Sequence, residues 1–401
     1  MNKFEYKCKD HNGKSFVGLV EARDETQAAR VLMEKGLIII RLHLKSEGLL
    51  ASNAFKFFKK VSFNDKVNFT RQLSTMINSG LPLTDALRIL EEQSGSMMSR
   101  LINEITNQVE SGASLSKALE THPEVFEKVY VALVRAGEEA GVLDTILNRL
   151  ADNLEKQKEF GSKVKGALIY PAVVVSGMVL VAAVMMIFVV PKLTDLYSEF
   201  KADLPLPTKI LMAMSSFAVN FWWLGLLIIA GVVIAIPTLM KQRNFRIEFD
   251  RFMFKIPIFG KLRVKEMMAD FTRTLGLLIG AGVLVLDALN IVKDSMGSPI
   301  FEDAIQQAAD AVQKGFPLAT ALSETGVFPP IVPQMISVGE ETGKTDEVLA
   351  KISNYFGQEA EQSVKNLTSA LEPLIMVVLG VGVAFLVIAI IMPIYNLTSQ
   401  F

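Results

Sequence analysis

Two related stretches carry the residues that could do chemistry. GEEAGVLDTIL runs from Gly137 to Leu147, and GEETGKTDEVL from Gly339 to Leu349, 202 residues later. Each holds a pair of glutamates, Glu138 and Glu139 or Glu340 and Glu341, and adjacent carboxylates suggest acid/base work or a hard cation. The second copy adds Gly343-Lys344-Thr345, a fragment of a phosphate-binding loop. Such a loop requires Gly, four residues, then Gly-Lys-Ser/Thr between a strand and a helix. The position that should hold its first glycine is Val338, only three residues separate Gly339 from Gly343, and the context is helical. Nucleotide binding is therefore not expected. The glutamates read first as solvated groups in a last helical turn, with Gly141 and Gly343 as caps and Asp144 and Asp346 at the next helix start. That placement opposes the helix dipole, so contact with a basic partner comes second and a cation third. Arg71 and Arg273, which recur in the same register, join the four glutamates as partner-contact candidates.

Composition narrows the classes. Forty-one Lys and Arg against 42 Asp and Glu leave a net charge of −1, which gives no field for nucleic acid. Cys8 is the single cysteine, and His11, His43 and His122 are scattered, so neither a disulfide nor a histidine-rich metal site is suggested. No Ser–His or Cys–His arrangement appears, and no cofactor is implied. The charged, alternating start MNKFEYKCKD does not read as a signal peptide, which predicts a cytoplasmic N-terminal region.

Half the residues are hydrophobic and mean hydropathy is +0.35. Three stretches lack Asp, Glu, Lys and Arg: 166–191, 210–240 and 373–401, of 26, 31 and 29 residues. A spanning helix needs roughly 20 apolar residues, so spans are expected near Pro171–Val190, Ser216–Leu239 and Pro373–Met392, with Pro171 and Pro373 at helix starts. The shorter run 274–286 reads as a buried helix followed by a turn. Lysines at 156, 158, 163 and 165, and the basic residues Lys241, Arg243, Arg246 and Arg251, favour an inside location for the N-terminus and 241–370. The spans hold no ionisable residue, which counts against an ion-coupled transporter. Gly231/Ala235 and Gly380/Ala384 are small-residue pairs that permit close helix packing.

The elements around these residues occur twice. FTRQLSTMINSGLPLTDALRIL (69–90) matches FTRTLGLLIGAGVLVLDALNIV (271–292) without gaps at ten of 22 positions. The corner Gly-x-x-Leu/Val-x-x-Ala-Leu appears at 80–87, 112–119, 282–289 and 315–322, each a glycine-closed helix followed by a new one starting at Pro82, Ser114 or Pro317. The fold class expected is mainly α and membrane-integral, with two duplicated antiparallel bundles of about six helices. The scheme is a ββαβ module at 1–60, a first bundle at 61–166, spans at 167–191 and 214–240 around a loop at 192–213, a second bundle at 241–370, a third span at 371–393 and a tail at 394–401. The second span returns the chain to the side of the first bundle.

FEYKCKDHNGKSFVGLVEA, the duplicated F-T-R-x-L and GE-E-x-G motifs, three spans and about 400 residues resemble the inner-membrane platform proteins of type II secretion and type IV pilus machines, called general secretion pathway protein F or PilC. The resemblance covers nearly the whole chain. It implies a scaffold without enzymatic activity, in the bacterial inner membrane with its C-terminus periplasmic. It implies coupling of a cytoplasmic assembly ATPase to insertion of pilin or pseudopilin subunits into a filament. Other inner-membrane assembly components and further copies of the chain are implied partners. GEETGKTD lacks the aliphatic residues of GEEAGVLD, so the two bundles are expected to bind different things. The rivals are a transporter component and a membrane-tethered enzyme.

Overall fold

A computed structural model describes residues 2–9, 15–22, 24–34, 36, 38–44, 61–192, 206–257 and 259–398, in two compact units, 1–61 and 62–401. In the first unit β1 (Asn2–Lys9), β2 (Ser15–Ala22) and β3 (Ile38–Leu44) form an antiparallel sheet of order β2-β1-β3, with a register shift between Lys7 and Cys8. Helix α1 (Glu25–Glu34) packs on it through Ala28, against Ala22 and Val20. The HNGK turn and the link at 45–60 lie outside the described residues.

The second unit opens at α2 (Phe63–Asn78), fixed by a reciprocal Ser62/Asp65 capping box. Then follow α3 (Leu83–Gln93), α4 (Ser96–Glu110), α5 (Leu115–Glu120), α6 (Lys128–Ala140) and α7 (Leu143–Val184). The second copy repeats them as α11 (Phe259–Gly280), α12 (Val285–Ser295), α13 (Pro299–Gln313), α14 (Leu318–Glu324), α15 (Ile331–Thr342) and α16 (Thr345–Thr398). Both cores are built on the same aromatic pair, Phe69 against Phe126 (5.8 Å) and Phe271 against Phe328 (4.9 Å). The four corner glycines, Gly80, Gly112, Gly282 and Gly315, all have positive φ, which is what ends one helix and aims the next. One residue is added at the α12–α13 turn, where α13 runs 203 residues after α4, and is removed again before Phe328. The apolar run 274–286 is the buried end of α11 followed by a turn.

Two helices are long and apolar enough to cross a membrane, within Leu143–Lys192 and Thr345–Met392. Neither starts at its proline. Pro171 lies inside α7 and Pro373 inside α16, so bundle and span are one rod in each half. Each proline deletes one backbone bond, about 3 kcal/mol in an isolated helix. Several uninterrupted turns on either side carry that local loss, as spanning helices commonly do. Past Val184 the first rod continues through a π-helical turn, Met185–Val189.

The connection between the copies also differs from expectation. Residues 206–213, assigned above to a loop, belong to α8 (Leu206–Asn220), and the middle apolar stretch breaks at Phe221 before α9 (Trp222–Leu239). Residues 193–205 and the tail at 399–401 lie outside the described residues. Leu211 of α8 packs with Val190 and Ala389 from the two rods. Thr208 donates to the Ala389 carbonyl (2.9 Å) and Ser215 to that of Met186 (2.6 Å), in the π turn. The residue five positions after Met186 is Pro191, which has no N–H to donate, and the Ser215 hydroxyl supplies the partner instead. Helix α9 then leads into α10 (Arg243–Lys255); the pair Trp223–Leu239 and Arg243–Lys255 is bent by 110° and supplies the third candidate crossing only if taken together.

Candidate functional site

The glutamate pairs divide into an inner and an outer member. The N–H groups that begin α5 have no partner within their own helix. Glu138 supplies it: Leu115 N–H donates to Oε1 at 2.5 Å and Ser116 N–H to Oε2 at 2.9 Å. In the second copy Leu318 and Ala319 donate to Glu340 at 2.7 and 3.1 Å. The two carboxylates therefore stand near the end of one helix but on the positive end of another, and this answers the dipole objection. They cap the short corner helices, Glu138 from a half-buried position and Glu340 from an exposed one. Glu139 and Glu341 are exposed, the latter accepting from Ser337 (3.3 Å). Glu139 borders a shallow polar hollow with Lys117 and Arg135.

The glycines around the glutamates complete a tight joint. A β-carbon on Gly137 would stand 3.0 Å from Ile146 Cβ, and one on Gly339 the same distance from Thr345 Cα. Glycine there lets α6 and α15 cross closely over the starts of α7 and α16. Gly141 and Gly343 take left-handed caps at φ 69° and 68°. Val142 N–H then returns to Gly137 O and Lys344 N–H to Gly339 O, each at 2.9 Å. The Gly343-Lys344-Thr345 trio is thus a helix stop. Its lysine is exposed and pairs loosely with Glu347 (3.4 Å). Among the described residues no cluster of three His, Cys, Asp or Glu side chains is arranged to hold a metal ion.

Arg71 braces the first bundle. Its guanidinium donates to both oxygens of Glu155 (2.7 Å each), to Asp152 (2.5 Å) and to Asn148 (2.9 Å), joining α2 to α7. The hydrogen bond from Arg71 holds the Glu155 carboxyl below the usual glutamate range. Arg273 has no such set, because the corresponding residues are Ala350, Asn354 and Gly357. It reaches Asp270 (3.3 Å) and Asn153 of the first bundle (3.4 Å). Burial raises the Asp270 carboxyl, with Arg273 opposing. Around them α7, α11 and α16 line a groove of about 580 Å³, crossed by Lys156 to Asn354 (3.3 Å) and Lys163 to Glu361 (2.9 Å). Lys128 to Asp294 (2.6 Å) ties α6 to α12.

The small-residue pairs stand apart from these contacts. Gly231, Ala235, Gly380 and Ala384 are exposed, and a β-carbon on either glycine would meet nothing within 4 Å. Sequence reasoning missed three features: the α5 and α14 caps, the Ser215 bond and the aromatic face of α10. One signal for the caps was present. Pro317 offers no side-chain acceptor at the start of α14, so that helix needed one from elsewhere.

The chain matches the family described as type II secretion system (T2SS), protein F, twice, over residues 69–191 and 271–393, and the N-terminal domain of that protein over 1–43. It is 35% identical over 397 residues to the type IV pilus assembly protein PilC of Thermus thermophilus, covering 98% of each chain. It is 36% identical to the PilC of Myxococcus xanthus (99% of this chain, 95% of that one). It is 34% identical to the type II secretion system protein F of Xanthomonas campestris (99% and 98%).

Proposed function

Because this chain belongs to the type II secretion system protein F family, we propose that it works as a transmission scaffold across the inner membrane, without an active site of its own. It is an inner-membrane platform protein of a secretion or pilus machine. The observation that carries the transmission reading is the continuity of α7 and α16, each a bundle helix and an apolar span in one rod. A load applied to a bundle reaches the membrane along an unbroken helix. The partners proposed are an assembly ATPase on the bundle side, pilin or pseudopilin helices beside the spans, other assembly components and further copies of the chain. The topology proposed has three spans, with the N-terminal module and both bundles cytoplasmic and the C-terminus periplasmic. The outer glutamates, Glu139 and Glu341, remain the partner-contact candidates.

Purified full-length protein in detergent should capture the assembly ATPase encoded with it, and should turn over no ATP alone, before or after Lys344→Ala. Failure to capture the ATPase refutes the coupling role. Hydrolysis abolished by Lys344→Ala refutes the scaffold reading.

A further inference from the structure

Helix α10, RNFRIEFDRFMFK, has two distinct sides. One docks on the second bundle. Arg246 donates to the Gly297 carbonyl (2.9 Å) and to Glu302 (3.1 Å), the buried Ser298 hydroxyl donates to Asp250 (2.5 Å), and the Phe254 ring meets Phe301 edge-on. The opposite side carries Phe245, Phe249, Phe252 and then Ile256, spaced i, i+4, i+7 and i+11 and so forming one stripe. Phe252 is 64% exposed and Phe249 38%. Lys241 and Lys255 are exposed near the stripe, and Arg251 is exposed and paired with Glu248 (2.8 Å).

The place of the stripe follows from the chain. Only Met240, Lys241 and Gln242 separate α9 from α10, a reach of at most about 10 Å. The axis turns by 110° across that gap. A helix that starts where an apolar helix ends, and turns broadside to it, has no route away from the boundary. We infer that α10 lies in the membrane interface, with Phe249 and Phe252 entering the headgroup–acyl boundary and Lys241 and Lys255 meeting lipid phosphates. Aromatic residues on one side and basic residues beside them are the composition that holds a helix in that plane. The occupant of the stripe is the lipid surface. Because the other side of α10 is fixed to α13, the second bundle is held at a set height under the membrane. The inference rests on α9 being a span.

The test uses the full chain with Cys8→Ser, reconstituted in vesicles of phosphatidylethanolamine and phosphatidylglycerol. An environment-sensitive fluorophore is placed singly through Val233→Cys in α9, Phe252→Cys, or Leu284→Cys. These positions are exposed, so the bundle should survive each change. Leu284 lies in the turn beyond the far end of α11, an end about 33 Å from the start of that helix. Lipids carrying a nitroxide near the headgroup should quench the Phe252→Cys probe strongly and shift its emission to the blue, leaving the Leu284→Cys probe unchanged. Quenching at Val233→Cys with a water-like Phe252→Cys probe overturns the inference alone. A blue-shifted Phe252→Cys probe that lipid does not quench also overturns it, since protein then covers the stripe. Loss of quenching at Val233→Cys refutes the span itself.

Discussion

Glu138→Ala should cost far more than Glu139→Ala, although the residues are neighbours with the same charge. Glu138 holds the Leu115 and Ser116 N–H groups, whose residues are buried. Truncation removes two charge-assisted bonds and leaves two donors at a half-buried helix start. A cap is worth about 1 kcal/mol and a charge-assisted bond about 1.5–3 kcal/mol. Partial access of water reduces the sum, and Ser114 still caps Lys117 N–H (3.3 Å), so a loss of about 2–3 kcal/mol is expected. Glu139 is exposed, so its change should stay within about 0.5 kcal/mol. For a unit of this size 1 kcal/mol moves Tm by roughly 2 °C. Glu138→Ala should therefore lower the melting of helical circular dichroism in detergent by about 5 °C. Hydrogen exchange gives the local readout: the Leu115 and Ser116 amides should lose protection in Glu138→Ala and keep it in Glu139→Ala. Equal melting of the two variants, with unchanged exchange at both amides, refutes the capping role. Glu340→Ala repeats the experiment where Pro317 offers no second cap.

Two further outcomes follow from contrasts between the copies. Lys66 is buried at 4% side-chain exposure while its partner Glu127, 3.4 Å away, is 72% exposed, and desolvation lowers the Lys66 ammonium below its usual range. A lowered lysine costs stability while it stays charged, and the cost is relieved as pH rises through its folded value. Lys66→Met, which installs the residue found at Met268, should stabilise by about 1–2 kcal/mol at pH 7 and abolish the rise in stability toward pH 10; a lower Tm for Lys66→Met would show the ammonium to be a net stabiliser. Arg71→Met should destabilise by about 1–2 kcal/mol after allowance for exposure, and Arg273→Met by less than about 0.5 kcal/mol. Because Arg71 depresses the Glu155 carboxyl, its contribution is whole at neutral pH and fades as pH falls below about 4, so acid titration of the melts should bring wild type and Arg71→Met together.

What the sequence made legible was local or periodic. The corner glycines, the Gly141 and Gly343 stops and the helical context that removes Lys344 from phosphate chemistry all follow from runs of under ten residues. The duplication needed only a register. The caps were hidden because Glu138 and Leu115 meet across the fold, and no local rule links a glutamate in a last turn to a donor 23 residues earlier. Pro171 and Pro373 misled for the converse reason. The preference for a first-turn proline is local, whereas the tolerance of an interior one depends on the intact turns around it. Helix α8 was obscured by a composition that serves loop, helix and span alike, and its place is set by Thr208 and Ser215 reaching carbonyls on other helices.

The divergence of the copies explains how two bundles became one unit. In the first, Asn148, Asp152 and Glu155 close α7 onto α2 through Arg71. Had the second kept its equivalents, Arg273 would have closed α16 onto α11 in the same way, and two self-contained bundles would have met through opposed acidic faces. Replacement by Ala350, Asn354 and Gly357 removes that charge. Arg273 then extends to Asn153, and Lys156 and Lys163 of the first copy find Asn354 and Glu361 of the second. Gly276 and Gly280 of α11 admit Leu349, Asp346 and Arg149 at distances a β-carbon would block. The first bundle thus carries its own brace, while the second obtains part of its polar closure from the first. The seam therefore joins the two rods to each other directly, on the bundle side of their apolar stretches.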